Sequence, residues 1–199
     1  LARVMSKQKF PATIIFVAFS GEEQGLNGST FLAKKAKEQN WEVIAMLNND
    51  MIGNSYSSET NLKNNMQVRL FSEGIPLLET DEMKNIRQST NGENDGKSRQ
   101  LARYIKEVGE RYVDQLEVKL LYRNDRFLRG GDHTPFNRQG FTAVRFCEMN
   151  ENYDYQHQNV REENGFKFGD LPEFVDYEYA RKITCVNLAV LSNLALAPQ

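Results

Sequence analysis

Two adjacent glutamates, Glu22 and Glu23, follow a run of apolar residues, "ATIIFVAFS" at 12–20. The run is short, continuous and rich in β-branched and aromatic residues, which is typical of a strand covered on both faces. A second strand, predicted at 43–48, ends in the polar residues "NND" (48–50), with Asp50 last. Ligands of an open parallel sheet bind beyond the carboxyl ends of its strands, so we expect the three carboxylates to share one crevice.

Three carboxylates in one crevice repel one another and are costly to desolvate, and a divalent cation relieves both penalties. Zinc often adds imidazole to carboxylate ligands. The chain has two histidines, His133 in "RGGDHTPF" and His157 in "NYDYQHQN", both in loops that can return to the same edge of the sheet. Asp132 stands beside His133 and next to glycines. The pattern therefore predicts a metal site.

Each of these residues also has a structural interpretation. A glutamate pair before a helix can act as an anionic cap, and Asp50 can cap a turn. Either histidine can be a hydrogen-bonded loop residue, and Asp132 can hold an arginine. The convergence of carboxylates at successive strand ends, together with the imidazoles, favours the metal site.

The elements that must position these residues form an alternating pattern. The segment 29–40 has apolar residues at helical spacing, so the two apolar runs and this helix predict a βαβ unit with a parallel strand pair. Further strands are predicted at 66–74, 117–122 and 141–148, and helices at 98–116, with Ser98 as N-cap, and after Asp176; residues 75–98 are predicted to be irregular. Residues 1–199 are therefore predicted to form a single three-layer α/β domain.

Composition excludes some classes of function. The 199 residues carry a net charge of −2, so no basic field attracts nucleic acid or an anionic membrane. The longest apolar run is far shorter than the roughly 20 residues of a membrane span. Cys147 and Cys185 lie in apolar stretches without metal-type spacing, and we expect two buried free thiols that leave the compartment undecided.

Five motifs resemble, in order, the two-zinc aminopeptidase family. They are "FSGEEQGLNGS" (19–29), "LNNDMIG" (47–53), "GENDGKSRQLARYI" (92–105), "GGDHTPF" (130–136) and "YQHQ" (155–158). The family includes secreted bacterial leucyl aminopeptidases and, more distantly, glutamate carboxypeptidases and glutaminyl cyclases. The resemblance runs from about residue 10 to about residue 195. It implies a zinc-peptidase fold, an α/β/α sandwich with a mostly parallel mixed sheet.

The resemblance implies roles for individual residues. Glu22 matches the general base, Glu23 and His157 match ligands of one zinc, and Asp50 matches a ligand of the other. Asp132 and His133 match the family's "SDH" element, with Gly131 in place of serine.

Asp132 and His133 are therefore expected to contact substrate or to orient the metal ligands. Relatives place a tyrosine shortly before this element, where this chain has arginines. Arg126 or Arg129 can replace the phenol as a donor to the developing oxyanion. Alternatively, they form solvated ion pairs with Asp125 or Glu148.

Two of the family's five ligands, a histidine and a metal-bridging aspartate, lie upstream of the "GEE" strand. Residues 1–11 contain neither residue type. We therefore expect the C-terminal portion of a peptidase that lacks its N-terminal strands, with a zinc site that is partial or empty and a chain that is inactive by itself. The uncovered sheet edge predicts a homodimer or a segment swap.

The alternatives are a glutaminyl cyclase-like acyltransferase and a non-catalytic interaction domain on the same fold. For the peptidase, the partner is a peptide substrate, and family habit predicts a periplasmic or extracellular location.

Overall fold

The computed structural model describes residues 1–197. Its elements are, in order, α1 (Ala2–Met5), α2 (Asn27–Glu38), β1 (Met46–Asn49), β2 (Gln67–Ser72), α3 (Asp81–Thr90), α4 (Lys97–Tyr112), β3 (Glu117–Leu121), α5 (His133–Arg138), β4 (Ala143–Glu148), β5 (Arg161–Glu163), β6 (Phe166–Phe168), a 3₁₀ turn (Pro172–Phe174) and α6 (Tyr177–Leu196). None of these helices is long and apolar enough to cross a bilayer.

The main sheet has the strand order β1-β4-β2-β3. β1 runs parallel to β4, with Asn48 opposite Arg145, and β2 runs parallel to β3. β4 and β2 are antiparallel. Two of the three pairings are therefore parallel, and β1 and β4 end at the same edge of the sheet.

Helices cover both faces of this sheet. On one face α4 and α6 pack against the strands, around the fully buried Ile105, Phe146 and Ile183. On the other face a smaller cluster joins Ala33 of α2 to Phe136 of α5 and Ala143 of β4. Every residue of β4 is buried, as expected for a strand between two helical layers. The predicted α/β/α sandwich with a mostly parallel mixed sheet is confirmed.

Local signals predicted the long helices well. α6 begins after Asp176, whose Oδ1 accepts a hydrogen bond from the Tyr179 amide at 3.0 Å. α4 begins at Lys97 with Gly96 as its N-cap, so the prediction of Ser98 as the cap is wrong. The Ser98 hydroxyl lies inside the first turn and donates to Glu73 Oε1 at 3.3 Å.

The predicted strand at 12–20 is wrong. In the described residues this segment is irregular, and residues 13–19 take part in no backbone hydrogen bond. Ile15, Phe16 and Val17 are 59%, 47% and 46% exposed. A strand requires a neighbouring strand for its ladder, and in the part of the chain that the structure describes β1 pairs only with β4. The predicted βαβ unit therefore lacks its first strand.

Two elements and one burial state differ from the sequence predictions. The segment predicted to be irregular contains α3, which begins after the side-chain cap Thr80 and buries no residue. Residues 161–168 form the β5–β6 hairpin. Both cysteines are free, as predicted, but only Cys147 is buried, whereas Cys185 is partly exposed.

Candidate metal centre

A hydrogen-bonded turn presents Glu22 and Glu23 at the start of α2. The Glu22 carbonyl accepts from the Leu26 amide at 2.9 Å, and the Gly28 amide donates to the Ser20 carbonyl at 2.9 Å. A Cβ on Gly28 would lie 2.7 Å from that carbonyl oxygen, so only glycine permits this approach. The turn is thereby fixed to the helix, with Glu22 half-buried and Glu23 exposed.

Left-handed backbone recurs in the segments that carry the predicted site residues. Leu26 has φ = 60°, Met51, which follows Asp50, has φ = 59°, and His157 itself has φ = 56°. This conformation costs a non-glycine residue on the order of 1–2 kcal/mol. Surrounding hydrogen bonds and packing must therefore hold each of these segments in place.

Asp50 follows β1 directly and forms a buried ion pair with Arg145. The distance from Arg145 Nη2 to Asp50 Oδ2 is 2.8 Å, and the arginine side chain is only 3% exposed. Arg145 Nη1 also donates to the Gly130 carbonyl at 2.7 Å. Beside this pair, a Cβ on Gly131 would lie 3.1 Å from Asp50 Oδ2. Arg145 thus sets the orientation of the Asp50 carboxylate.

Four carboxylates share one electrostatic field at this edge. Burial raises the pKa of Glu22, and the charges of Asp50, Glu23 and Asp132 raise it further. Burial also raises the pKa of Asp50, and Arg145 and then Arg126 partly oppose this. The charges of Asp50, Glu23 and Asp132 thus act on Glu22, and Arg145 partly compensates the negative charge.

His157 approaches the same group of acids. Its Nδ1 lies 3.6 Å from Glu23 Oε1, and both side chains are substantially exposed. Within residues 1–197 no cluster of three or more His, Cys, Asp or Glu side chains is compact enough to hold a metal ion. The chain thus brings Glu23 and His157 together as a pair. The charge of Glu23 also raises the pKa of Asp50.

His133 is fully buried at the start of α5, and its Nε2 is 2.8 Å from the Asn124 carbonyl oxygen. Because a carbonyl only accepts, we assign the proton to Nε2. Burial lowers the pKa of His133 to about 4, so the ring is neutral at pH 7. The buried ring is not accessible from solvent. Asp132 Oδ1 is buried and has no hydrogen-bond partner among the described residues.

The two arginines before this element behave differently. Arg129 is exposed, and its backbone pairs with that of Arg126 across a tight turn. The Arg126 side chain is buried and forms an ion pair with Glu151. Asp125 instead pairs with Arg123, with Nη2–Oδ2 at 2.9 Å. Arg126 therefore pairs with neither Asp125 nor Glu148, the two partners considered from the sequence. The side chain of Arg129 is exposed.

The sequence matches a known family over most of its length. The model of Peptidase family M28 matches residues 1–164. The chain belongs to this family. A probable zinc metalloprotease of Leptosphaeria maculans is 44% identical over 198 residues, which cover 100% of this chain and 46% of that relative. One from Pyrenophora tritici-repentis is 45% identical over 200 residues, covering 100% of this chain and 41% of the relative.

Solved structures with the same fold are aminopeptidases. An aminopeptidase of Legionella pneumophila superposes with a TM-score of 0.61 at 19% identity, covering 99% of this chain and 43% of that chain. The aminopeptidase from Aneurinibacillus sp. strain AM-1 gives a TM-score of 0.62 at 19% identity, covering 100% and 37%. At this identity the likeness supports the fold alone. The chain spans less than half the length of the curated relatives and solved structures described above.

The donor chemistry of this M28 chain fits zinc in part. A carboxylate and an imidazole within 3.6 Å, as in Glu23 and His157, are ordinary zinc ligands. Two donors from the protein are fewer than the three or four that zinc takes in stable sites. The described residues therefore provide only some of the ligands that a zinc ion needs. Asp50, which pairs with Arg145, is a further carboxylate nearby in the site.

Sequence reasoning missed Glu151 and Arg69, which form an ion-pair network with Arg126. Glu151 lies between two arginines: its Oε1 is 2.7 Å from Arg69 Nη2, and its Oε2 contacts Arg126 Nη1. We call these three residues the Arg–Glu–Arg cluster. Arg145 was also missed. Arg69 and Arg145 each interrupt a largely apolar strand, in "MQVRLF" and "TAVRFC". A charged residue within such a strand was the sequence signal that could have indicated a buried ion pair.

A cavity of about 450 Å³ adjoins the site. Met51 and Gln156, which line it, are the chain neighbours of Asp50 and His157. Tyr155 and Phe174 form a stacked pair in its wall, with ring centroids 3.9 Å apart. The cavity is large enough for one amino-acid side chain.

Glu148 in the wall of this cavity is expected to make stability depend on pH. It is 4% exposed, its Oε2 accepts from the Asn54 amide at 2.7 Å, and burial raises its pKa to about 7 from an ordinary value of 4.5. The folded state therefore binds this proton more tightly than the unfolded state. The resulting stabilisation is complete below pH 4.5 and is lost as pH rises through 7.

We expect Glu148→Gln, which keeps the acceptor for Asn54, to match the original protein near pH 4.5 and to exceed its stability above pH 7, by about 1–3 kcal/mol. Urea unfolding across this pH range measures the difference. A difference that does not change with pH would contradict the assignment.

Proposed function

We propose that the whole protein is a zinc aminopeptidase that removes residues from the free amino terminus of peptides. Residues 1–199 supply the general base and part of the zinc ligands, and activity belongs to the longer protein. This proposal is supported by the family membership and by the acids at the shared end of β1 and β4. The observation that carries it is the field of Glu22, Glu23, Asp50 and Asp132, with His157 beside Glu23.

The chemistry follows from the residue types. Zinc, when bound, supplies a Lewis acid that polarises the scissile carbonyl. Glu23 and His157 would hold one ion and Asp50 the other. Glu22 accepts a proton from the attacking water and delivers it to the leaving amine, because its carboxylate is free of ion pairs and its pKa is raised toward the working range.

Specificity for the amino terminus follows from the same acids. A protonated α-amino group is attracted to a rim of carboxylates that arginine compensates only in part, whereas an acetylated terminus is not. The adjoining cavity can accept the first side chain of the peptide. Both features favour an exopeptidase over an endopeptidase.

The full-length protein tests this directly. A peptide with a free amino terminus is expected to lose its first residue, and the same peptide with an acetylated terminus is expected to remain intact. Chelation should abolish the activity and added zinc should restore it. Equal cleavage of both peptides would refute the exopeptidase proposal. Ammonia release from a glutamine-initiated peptide without chain shortening would point to a cyclase instead.

A further inference from the structure

The Arg–Glu–Arg cluster is linked to the turn that carries His157. Gln156 Nε2 donates to Glu151 Oε2 at 3.3 Å, and the same oxygen contacts Arg126. We propose that Gln156 is a positioning residue, whose amide connects the cluster to this turn and fixes the direction in which His157 is presented to zinc. The inference rests on the proposed role of His157 as a zinc ligand.

The turn needs such support because its own structure is weak. His157 has left-handed backbone, and its side chain is 49% exposed. The Tyr155 and Gln156 amides both donate to the Asn152 carbonyl, at 3.2 Å and 3.1 Å. Two donors that share one acceptor stabilise a turn less than two separate hydrogen bonds do. Backbone of this kind persists only where its surroundings determine it.

The cluster is a rigid anchor. Glu151 is 8% exposed, and the side chains of Arg69 and Arg126 are 13% and 4% exposed. Arg69 Nε also donates to the Glu148 carbonyl at 2.8 Å, which fixes the guanidinium to the end of β4. Both carboxylate oxygens of Glu151 are thus engaged by arginines, and the carboxylate cannot rotate without breaking an ion pair.

Gln156 is the side chain that transmits this rigidity. Its Oε1 is buried without a hydrogen-bond partner among the described residues, so the bond to Glu151 is the one that holds its amide. The cluster also reaches the other half of the site, because the charge of Arg126 acts on Asp50. The cluster therefore contacts the His157 turn directly and acts on Asp50 through the charge of Arg126.

The test compares Gln156→Ala with Gln158→Ala in the full-length protein. Gln158 is the matched control, since it flanks His157 on the other side and its Nε2 donates to the Tyr153 carbonyl at 3.1 Å without contact to the cluster. Zinc affinity is measured by competition with a chromogenic chelator. Amide hydrogen exchange of residues 153–158 is measured in the zinc-free protein. This second measurement depends on neither bound zinc nor catalytic activity.

We expect Gln156→Ala to weaken zinc binding by about 10- to 100-fold, as is typical when a residue that orients a metal ligand is removed. Exchange of the turn should accelerate while the Tm of the zinc-free protein stays the same. Gln158→Ala removes only its bond to the Tyr153 carbonyl and should leave zinc affinity unchanged. Saturating zinc should restore the kcat of Gln156→Ala, because the ligand itself is still present.

Three outcomes would overturn the inference. Unchanged zinc affinity in Gln156→Ala would remove its positioning role, provided that His157→Ala loses affinity in the same titration. Equal loss in Gln158→Ala would assign the effect to the loop as a whole. Unchanged affinity in His157→Ala would refute the ligand assignment in the proposed function, and the positioning role would be lost with it.

Discussion

Replacing Glu22 by glutamine is expected to lower the kcat of the full-length protein for peptide hydrolysis by about 10²- to 10⁴-fold, the usual contribution of a positioned general base. The amide cannot take the proton from the attacking water. Zinc content should not change, because within residues 1–197 the Glu22 side chain forms no ion pair or hydrogen bond, and its neighbour Glu23 provides the carboxylate that lies beside His157.

Glu23→Gln is the matched comparison for this experiment. The two residues are adjacent in one turn and change from acid to amide alike, but Glu23→Gln should lose zinc as well as activity. Metal content by mass spectrometry and initial rates on a free-terminus peptide separate the two variants. Undiminished turnover in Glu22→Gln would remove Glu22 from the proton-transfer step.

Replacing Glu151 by glutamine is expected to destabilise the protein by about 3–5 kcal/mol, because it leaves two buried arginines without their counter-charge. Burial opposes ionisation of Glu151, yet hydrogen bonds from Arg69 and Gln156 and the charge of Arg126 hold the pKa of this carboxyl below its usual range. The carboxylate is therefore charged at neutral pH, and the glutamine is not an equivalent replacement.

Glu163→Gln is the control for Glu151→Gln. Glu163 pairs with Arg161 at 2.5 Å, but both side chains are exposed. Exposed pairs contribute less than about 1 kcal/mol. The midpoint of urea unfolding should therefore fall strongly for Glu151→Gln and hardly at all for Glu163→Gln. Similar losses in the two variants would mean that the buried cluster contributes little to stability.

The parts of this structure that the sequence predicts are those with local signals. The apolar residues at 43–47, followed by "NND" at 48–50, were sufficient to expect Asp50 at the end of a strand, and Asp176 was sufficient to start α6. Helical spacing predicted α2 and α4 to within a few residues, apart from the last turn of the predicted α4. Each of these signals depends on residues a few positions apart.

The rest depends on contacts between residues distant in the chain. The 12–20 run has the composition of a strand, but strand formation requires a partner, and composition does not reveal whether one is present. Arg145 belongs to an apolar strand, and its relation to Asp50 emerges only when β1 and β4 pair. Glu151 was inconspicuous among other polar residues because its two arginines come from different elements.

The left-handed residues around the site imply a conflict between stability and activity. Leu26, Met51 and His157 each hold backbone that glycine would adopt without cost. Glycine at these positions would also widen the range of directions in which the neighbouring acids and the imidazole can point. Substitution by glycine at these positions would therefore relieve backbone strain, but it would also loosen the geometry with which the neighbouring side chains could hold a metal.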